Sequence, residues 1–168
     1  MTIQLREYTK RDLEAIFALD EVCFELPFRF SARAMKQFAE ARNALTVIAE
    51  NETGEIAGFC IAHVERAGRG WRAYVVTLDV APDYRRRGLA RQMLKRIEQQ
   101  TIASGCNSIE LHVSVDNEGA IAFYEREGYV RSHIVKSFYG LGRHAYVYQK
   151  ALASAARSNE EWGALLKG

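Results

Sequence analysis

Between residues 74 and 124 the chain places His112, Tyr74, Tyr124 and a cluster of arginines where each can act on a substrate. His112 lies in Ile109-Glu110-Leu111-His112-Val113, out of phase with the apolar residues, so on a strand it points to the opposite face from them. An imidazole with an ordinary pKa of about 6.5 can take a proton near neutrality, directly or through a water. Tyr124 carries a phenol whose ordinary pKa of about 10 keeps it protonated, so it can donate to a departing group. Tyr74 stands in phase with Val76, Leu78 and Val80 in the strand reading. Each also has a plain structural reading: a histidine held for packing, and two tyrosines buried in a core.

The densest signal is Val80-Ala81-Pro82-Asp83-Tyr84-Arg85-Arg86-Arg87-Gly88-Leu89-Ala90, between a strand pattern and a long helix pattern. Amides at a helix start are unpaired and carry the positive end of the dipole, which suits a pyrophosphate. Gly88 lets the main chain approach an anion without a Cβ in the way, and Ala90 lets the helix start pack close. Arginines 85, 86, 87 and 91 add charge. A solvated basic turn and a nucleotide-phosphate loop fit the same residues. No G-K-[ST] follows and the spacing is not G-x-G-x-x-G, so neither of those loop types applies.

The elements that must hold these residues follow from periodicity. Ile3 and Leu5 mark a first strand, and Thr9 with Asp12 starts a helix carrying Leu13, Ile16 and Phe17 on one face. Residues 23–30 read as an aromatic loop broken by Pro27, with Ser31 capping a helix through about Ala41. Strands follow over roughly 44–50, 56–66 and 71–80, joined by turn-rich segments. A helix runs from about Gly88 to Ser104, a short strand spans 109–113, and Asn117 caps a further helix closed by Gly128. Two last strands, about 129–139 and 144–150, meet at Gly140-Leu141-Gly142. The expected architecture is one α+β domain over 1–152, a mixed, mostly antiparallel sheet of about seven strands flanked by about four helices. Residues 153–168 read as a tail, with a short helix as its one structured option.

R-x-x-G-x-A after a strand, then helix, strand and N-x-x-A-I-x-x-Y, resembles the GNAT acetyltransferase superfamily over roughly residues 2–150. Within it the look is similar to N-terminal protein acetyltransferases, including those that modify ribosomal proteins. Tyr74-Val75-Val76-Thr77-Leu78, Leu111-His112-Val113, Asn117 to Tyr124 and Lys136-Ser137-Phe138-Tyr139 carry that likeness. The resemblance implies acetyl-CoA as cosubstrate, with Arg85, Arg86, Arg87, Gly88, Leu89, Ala90 and Arg91 around its pyrophosphate. It implies that Leu78, Asp79 and Val80 pair with the pantetheine arm like an added strand, and that Asn117 and Tyr124 also contact the cofactor. It further implies Tyr124 as proton donor to the thiolate, His112 as base and Tyr74 as its partner through a water. Tyr139 would meet the substrate backbone. Phe24 and Phe28, with Phe30 nearby, line a pocket for a first side chain in one reading and cap the core in the other. Many relatives carry Tyr-Tyr where this chain has Phe138-Tyr139, and Leu26-Pro27-Phe28 departs from their loops.

Composition bounds the rest. The 168 residues are 48% apolar, which suits one domain of about 100–200 residues. Lys plus Arg total 23 and Asp plus Glu total 21, a net charge of +2, unlike a dedicated nucleic-acid binder with one strongly basic face. No window approaches the ~18 apolar residues of a membrane span, and Met1 to Glu7 mixes charges where a signal peptide is apolar. Cys23, Cys60 and Cys106 are odd in number, far apart and free of C-x-x-C spacing, so no disulfide scaffold or zinc site is expected and the cytoplasm is the expected compartment. No cysteine falls in the motifs, so direct transfer without an acyl-enzyme is expected, and no metal. The expected acceptor is a peptide or protein N-terminal α-amine. Small amines such as aminoglycosides or polyamines are the alternative, although the 23–30 loop offers only Glu25 as an acidic wall. A non-catalytic acyl-CoA-binding module is a further reading, against which the joint presence of Tyr124 and His112 argues. Monomer and homodimer stay open.

Overall fold

Alternating apolar residues build seven strands in the computed structural model, which describes residues 2–153. They are β1 (Ile3–Glu7), β2 (Ala44–Asn51), β3 (Ile56–Ala67), β4 (Gly70–Val80), β5 (Ser108–Ser114), β6 (Val130–Val135) and β7 (Ala145–Ala151). Helices α1 (Leu13–Cys23), α2 (Ala32–Ala39), α3 (Leu89–Ala103) and α4 (Glu118–Arg126) complete the described residues. The sheet order is β1-β2-β3-β4-β5-β7-β6, and only β4 and β5 run parallel. The expected α+β fold with a mixed, mostly antiparallel seven-stranded sheet and four helices is therefore the fold the chain adopts. The tail reading falls, from residue 154 onward, outside the described residues.

Period-two alternation splits the sheet between two cores. Val47 and Cys60 face the layer of α3, where Met93, Leu94 and Ile97 are buried, while Ile48, Phe59 and Ile61 face Ile16 and Leu19 of α1 and Met35 of α2. Burying each such side chain contributes about 1.5–3 kcal/mol before entropy is set against it. Gly58 makes the fit of α3 possible, because a Cβ there would stand 2.7 Å from the Asp79 carbonyl oxygen and 2.9 Å from Met93 Cε.

Two irregularities shape the centre of the sheet. β4 and β5 pair only from Arg72 opposite Ser108 to Val75 opposite Leu111, and then part. At the same level β4 carries one extra residue: Ile61 stands opposite Thr77 and Ala62 opposite Val75, leaving Val76 as a bulge. The bulge corrects the single-face reading of Tyr74, Val76, Leu78 and Val80. Val76 packs with the α1–α2 core, whereas Leu78 and Val80 pack with the α3 core.

Local chemistry explains most boundaries. Ser31 Oγ accepts from Ala34 N–H at 3.1 Å and starts α2, which ends at Ala39, two residues before the expected stop. The Asp12 carboxylate accepts from Thr9 N–H at 2.8 Å, and a 3₁₀ turn over Lys10–Asp12 precedes α1. β6 stops at Val135 instead of running to 139, because Ser137 adopts φ +56° and turns the chain back across the sheet end.

Candidate active site

A cleft of about 670 Å³ lies beyond the end of β4. Val80, Arg85, Arg86 and Gly88 to Arg91 line one side, and Phe123, Arg126 and Glu127 of α4 line the other. Gly88 holds φ +79° and Arg86 φ +61°, so two left-handed residues bend the turn into a concave run of main-chain N–H groups. Gln92 N–H is the first in α3 to reach back into the helix, to Gly88 O at 3.1 Å, so the amides of Leu89, Ala90 and Arg91 are left at its positive end. Concave amides, a helix N-terminus and arginines on both walls fit a pyrophosphate.

The structure sorts the residues read from sequence. Arg85 lines the cleft and its Nε donates to Val80 O at 3.0 Å. Arg87 turns away, its guanidinium 5.7 Å from the Tyr84 ring, into a small hollow shared with Ile3 and Gln92. The Asp79 carbonyl sits on the β3 side beside Gly58, so Leu78 and Val80 carry the main-chain groups that face the gap. The Asp79 side chain is buried on the α1 face, and Asn117 is occupied as the cap of α4, its Oδ1 accepting from Ala120 N–H at 3.1 Å. Phe123 and Arg126 join the cleft lining from the face of α4 that its apolar periodicity does not mark, and Tyr84 joins it from the 3₁₀ turn over Pro82–Tyr84.

Tyr124 is 8% exposed and packs edge-on against Phe123 and Tyr129 at 5.0 and 5.5 Å. Its hydroxyl makes no hydrogen bond to the described residues, and burial, with smaller contributions from Cys60, Tyr139 and Asp79, pushes its pKa up. The phenol therefore stays protonated with its donor unspent.

On the other face, Tyr74 Oη and His112 Nδ1 lie 2.8 Å apart. Burial lowers the His112 pKa, Arg72 and His133 act in the same direction, and Glu110 opposes them. Burial likewise pushes the Tyr74 phenol up. An arch of aromatic rings closes over the pair. Phe138 stacks on the His112 ring at 4.0 Å and 5°, Tyr139 meets Phe138 edge-on at 4.8 Å, and Phe28 meets Tyr139 at 4.9 Å. Burial pushes Tyr139 up to about 12, and its phenol bears on both Tyr74 and Tyr124, so it stands between the two halves of the site. Phe24 is half-buried at the end of α1, and Phe30 packs on Phe38 in the second core, outside the arch. Phe138 is a contributor that the sequence pattern did not single out. Its place on His112 depends on the turn at Ser137, which no periodicity encodes.

Parted parallel strands over an anion cradle, with a neutral imidazole on one face and a protonated phenol on the other, are the layout of an acyl-group transferase. Residues 13–129 match the Acetyltransferase (GNAT) family, and the chain belongs to that family. It is an acetyltransferase. The fold is also that of the ribosomal-protein-S18-alanine N-acetyltransferase from Escherichia coli, with TM-score 0.81 and 22% identity over 92% of this chain and 96% of that one. Arabidopsis thaliana NAA60, solved with a bisubstrate analogue, superposes with TM-score 0.79 at 21% identity over 92% and 100%. Chaetomium thermophilum Naa20, also with a bisubstrate analogue, gives TM-score 0.76 at 25% identity over 89% and 86%.

Proposed function

We propose that this acetyltransferase moves the acetyl group of acetyl-CoA directly to the α-amine of a peptide or protein N-terminus. The observation that carries the reading is the His112–Tyr74 pair, held neutral beneath the arch of Phe28, Phe138 and Tyr139. An α-amine with a pKa of about 7.7–8.0 is roughly 10% neutral at pH 7, whereas a lysine near 10.4 loses roughly 3 kcal/mol more in the fraction available. One imidazole suffices for the first and is a poor match for the second. Polyamines and aminoglycosides call for acidic walls, and the arch is aromatic. The nearest sheet carboxylate, Glu110, is engaged by Arg72 at 3.0 Å and Gln149 at 2.9 Å. Among the proteins of like fold, a ribosomal-protein-S18-alanine N-acetyltransferase and the NatC complex bound to Gag peptide and CoA support the same reading.

Each proton has a place to go. With His112 Nδ1–H donating to Tyr74 Oη, Nε2 is left as the acceptor for the proton of the incoming ammonium. The free amine attacks the thioester carbonyl carbon; the C–N bond forms as the C–S bond breaks. Tyr124 gives its proton to the leaving sulfur, and the second proton, shed by the nitrogen as the amide forms, passes to solvent, from which Tyr124 regains its own. Arg85, Arg86 and the amides of Gly88 to Arg91 hold the pyrophosphate in the cleft, and Leu78 and Val80 offer main-chain groups to the arm. No thiolate serves as nucleophile in this reading, because burial pushes the Cys23 and Cys60 thiols up. The free cysteines of the described residues fit a reducing cytoplasm.

The test is thiol release from acetyl-CoA with short N-terminal peptides, free lysine, polyamines and aminoglycosides. The peptides should lead in kcat/KM by at least about tenfold. Preference for a small amine would replace the reading, and no turnover of any amine would favour a binding module.

A further inference from the structure

Two carboxyl groups are buried between α1 and the far end of β4. Asp20 of α1 is 0% exposed and Asp79 of β4 is 1% exposed, and their carboxyl groups are close enough to act on one another. The bulge at Val76 is what turns Asp79 toward α1. Each carboxyl has one oxygen with a fixed donor. Asp20 Oδ2 accepts from Phe30 N–H at 3.0 Å, and Asp79 Oδ1 accepts from Thr77 Oγ1–H at 2.5 Å. The other two oxygens, Asp20 Oδ1 and Asp79 Oδ2, are buried and receive no donor from any other described residue. Facing carboxylates in a dry site cannot both ionise, and one proton between them satisfies both orphaned oxygens.

We propose that Asp20 and Asp79 share this one proton and act as positioning residues, tying the acceptor loop at Phe30 to the parted end of β4 and so setting the slot beneath the arch. The kinetic side of the proposal rests on the peptide-acceptor reading above; the shared proton does not. Titratable and charged groups of every neighbouring element act on the pair or feel its charge: Glu21 and Cys23 of α1, Arg29 of the acceptor loop, Arg85 of the phosphate turn and, from across the sheet, Cys60 of β3 and Tyr124 of α4. Burial raises both acids, while Arg29 favours the charge on Asp20 and Arg85 the charge on Asp79. Arg29 and Arg85 belong to the two loops that hold the two substrates, so the pair sits at their junction. When rising pH removes the proton, two carboxylates repel across the contact, and the Phe30 latch weakens.

Amide substitution separates this from ordinary packing. Asp79→Asn puts a permanent N–H donor where the proton was and keeps an oxygen for Thr77. The double variant Asp20→Asn/Asp79→Asn sets one amide NH₂ against another. Asp20→Ala removes the acceptor of Phe30 N–H altogether. The full chain is followed by NMR hydrogen exchange at Phe30 and by acceptor KM and kcat with a free-amine peptide, from neutral to alkaline pH. The parent should lose roughly tenfold in Phe30 protection as pH rises, with acceptor KM rising and kcat and acetyl-CoA affinity holding. Asp79→Asn should keep both values flat, and Asp20→Ala should lack the protection at every pH. If Asp20→Ala does not fold, the isosteric Asp79→Asn and the double variant decide the matter, the double variant losing the Phe30 protection that Asp79→Asn keeps. Parent protection that does not change with pH, or Asp79→Asn following the parent's course, overturns the proposal. If no amine is turned over, the exchange measurements still decide the shared proton, and the peptide-acceptor reading falls alone.

Discussion

His112 is kept neutral by burial, and the sign of that shift fixes how activity responds to pH. A lowered imidazole pKa means the base stays available below its ordinary value of about 6.5 and is lost only as pH falls through the depressed one. The parent's kcat/KM should therefore hold into mildly acidic buffer. His112→Ala should cost most at and below neutrality, on the order of 10²-fold, and recover as rising pH supplies free amine without help. A pH–rate profile checks this, and a variant curve parallel to the parent's at equal height would make His112 structural. Tyr124 gives a sharper contrast. Its hydroxyl is bonded to no described residue, so Tyr124→Phe keeps the edge contacts to Phe123 and Tyr129 and should leave the melting temperature nearly unchanged. As the proton donor it should nevertheless lower kcat by at least ~10², with acetyl-CoA affinity little moved. Steady-state kinetics beside calorimetric Kd measurement separates the two roles; a kcat within a few-fold of the parent would return Tyr124 to the core.

The phosphate turn works as an element. Gly88 holds φ +79° with open space around the position of a Cβ, so the backbone and not crowding demands glycine there. Gly88→Ala should cost roughly 1 kcal/mol of left-handed strain and leave the cleft open. Gly88→Glu adds a carboxylate at the mouth of the amide cradle and should raise the acetyl-CoA Kd at least tenfold, about 1.4 kcal/mol. Titration calorimetry on both folded variants distinguishes strain from charge. Equal affinity in parent and Gly88→Glu would remove the turn from the cofactor site. The bulge at Val76 matters as much as the turn. By adding one residue where β4 leaves β5, it puts Tyr74 and Asp79 on the acceptor side while Leu78 and Val80 face the cofactor side.

At the scale of the whole molecule, the proposed mechanism sets one sheet between two substrates, with the anion cradle on the α3–α4 side and the acceptor arch on the α1–α2 side. Much of that was legible in the order of residues. Strand alternation and helix caps such as Ser31 and Asn117 are local signals, and they placed all seven strands and four helices with small errors at the ends. The pairing of His112 with Tyr74 followed from family resemblance, and the two groups do meet at 2.8 Å. What stayed hidden depends on contacts distant in sequence. The bulge at Val76 is a register feature of β3 against β4, and it broke the phase assigned to that strand. Asp79 was read for its main chain, but its side chain matters through Asp20, nearly sixty residues earlier. Arg87 looked equivalent to Arg85 and Arg86, and only the positive φ at Arg86 and Gly88 turns it toward Tyr84 instead.

The central claim, direct acetyl transfer to an α-amine, is tested most directly by one peptide of fixed sequence containing an internal lysine, made with a free and with a blocked N-terminus. Acetyl-CoA and the full chain are added to each, and the acetylated position is located by mass spectrometry. The neutral imidazole beneath an aromatic arch predicts acetyl on the α-nitrogen of the free peptide and at least about tenfold less transfer to the blocked one. Equal transfer to both peptides, with acetyl on the lysine side chain, would contradict it.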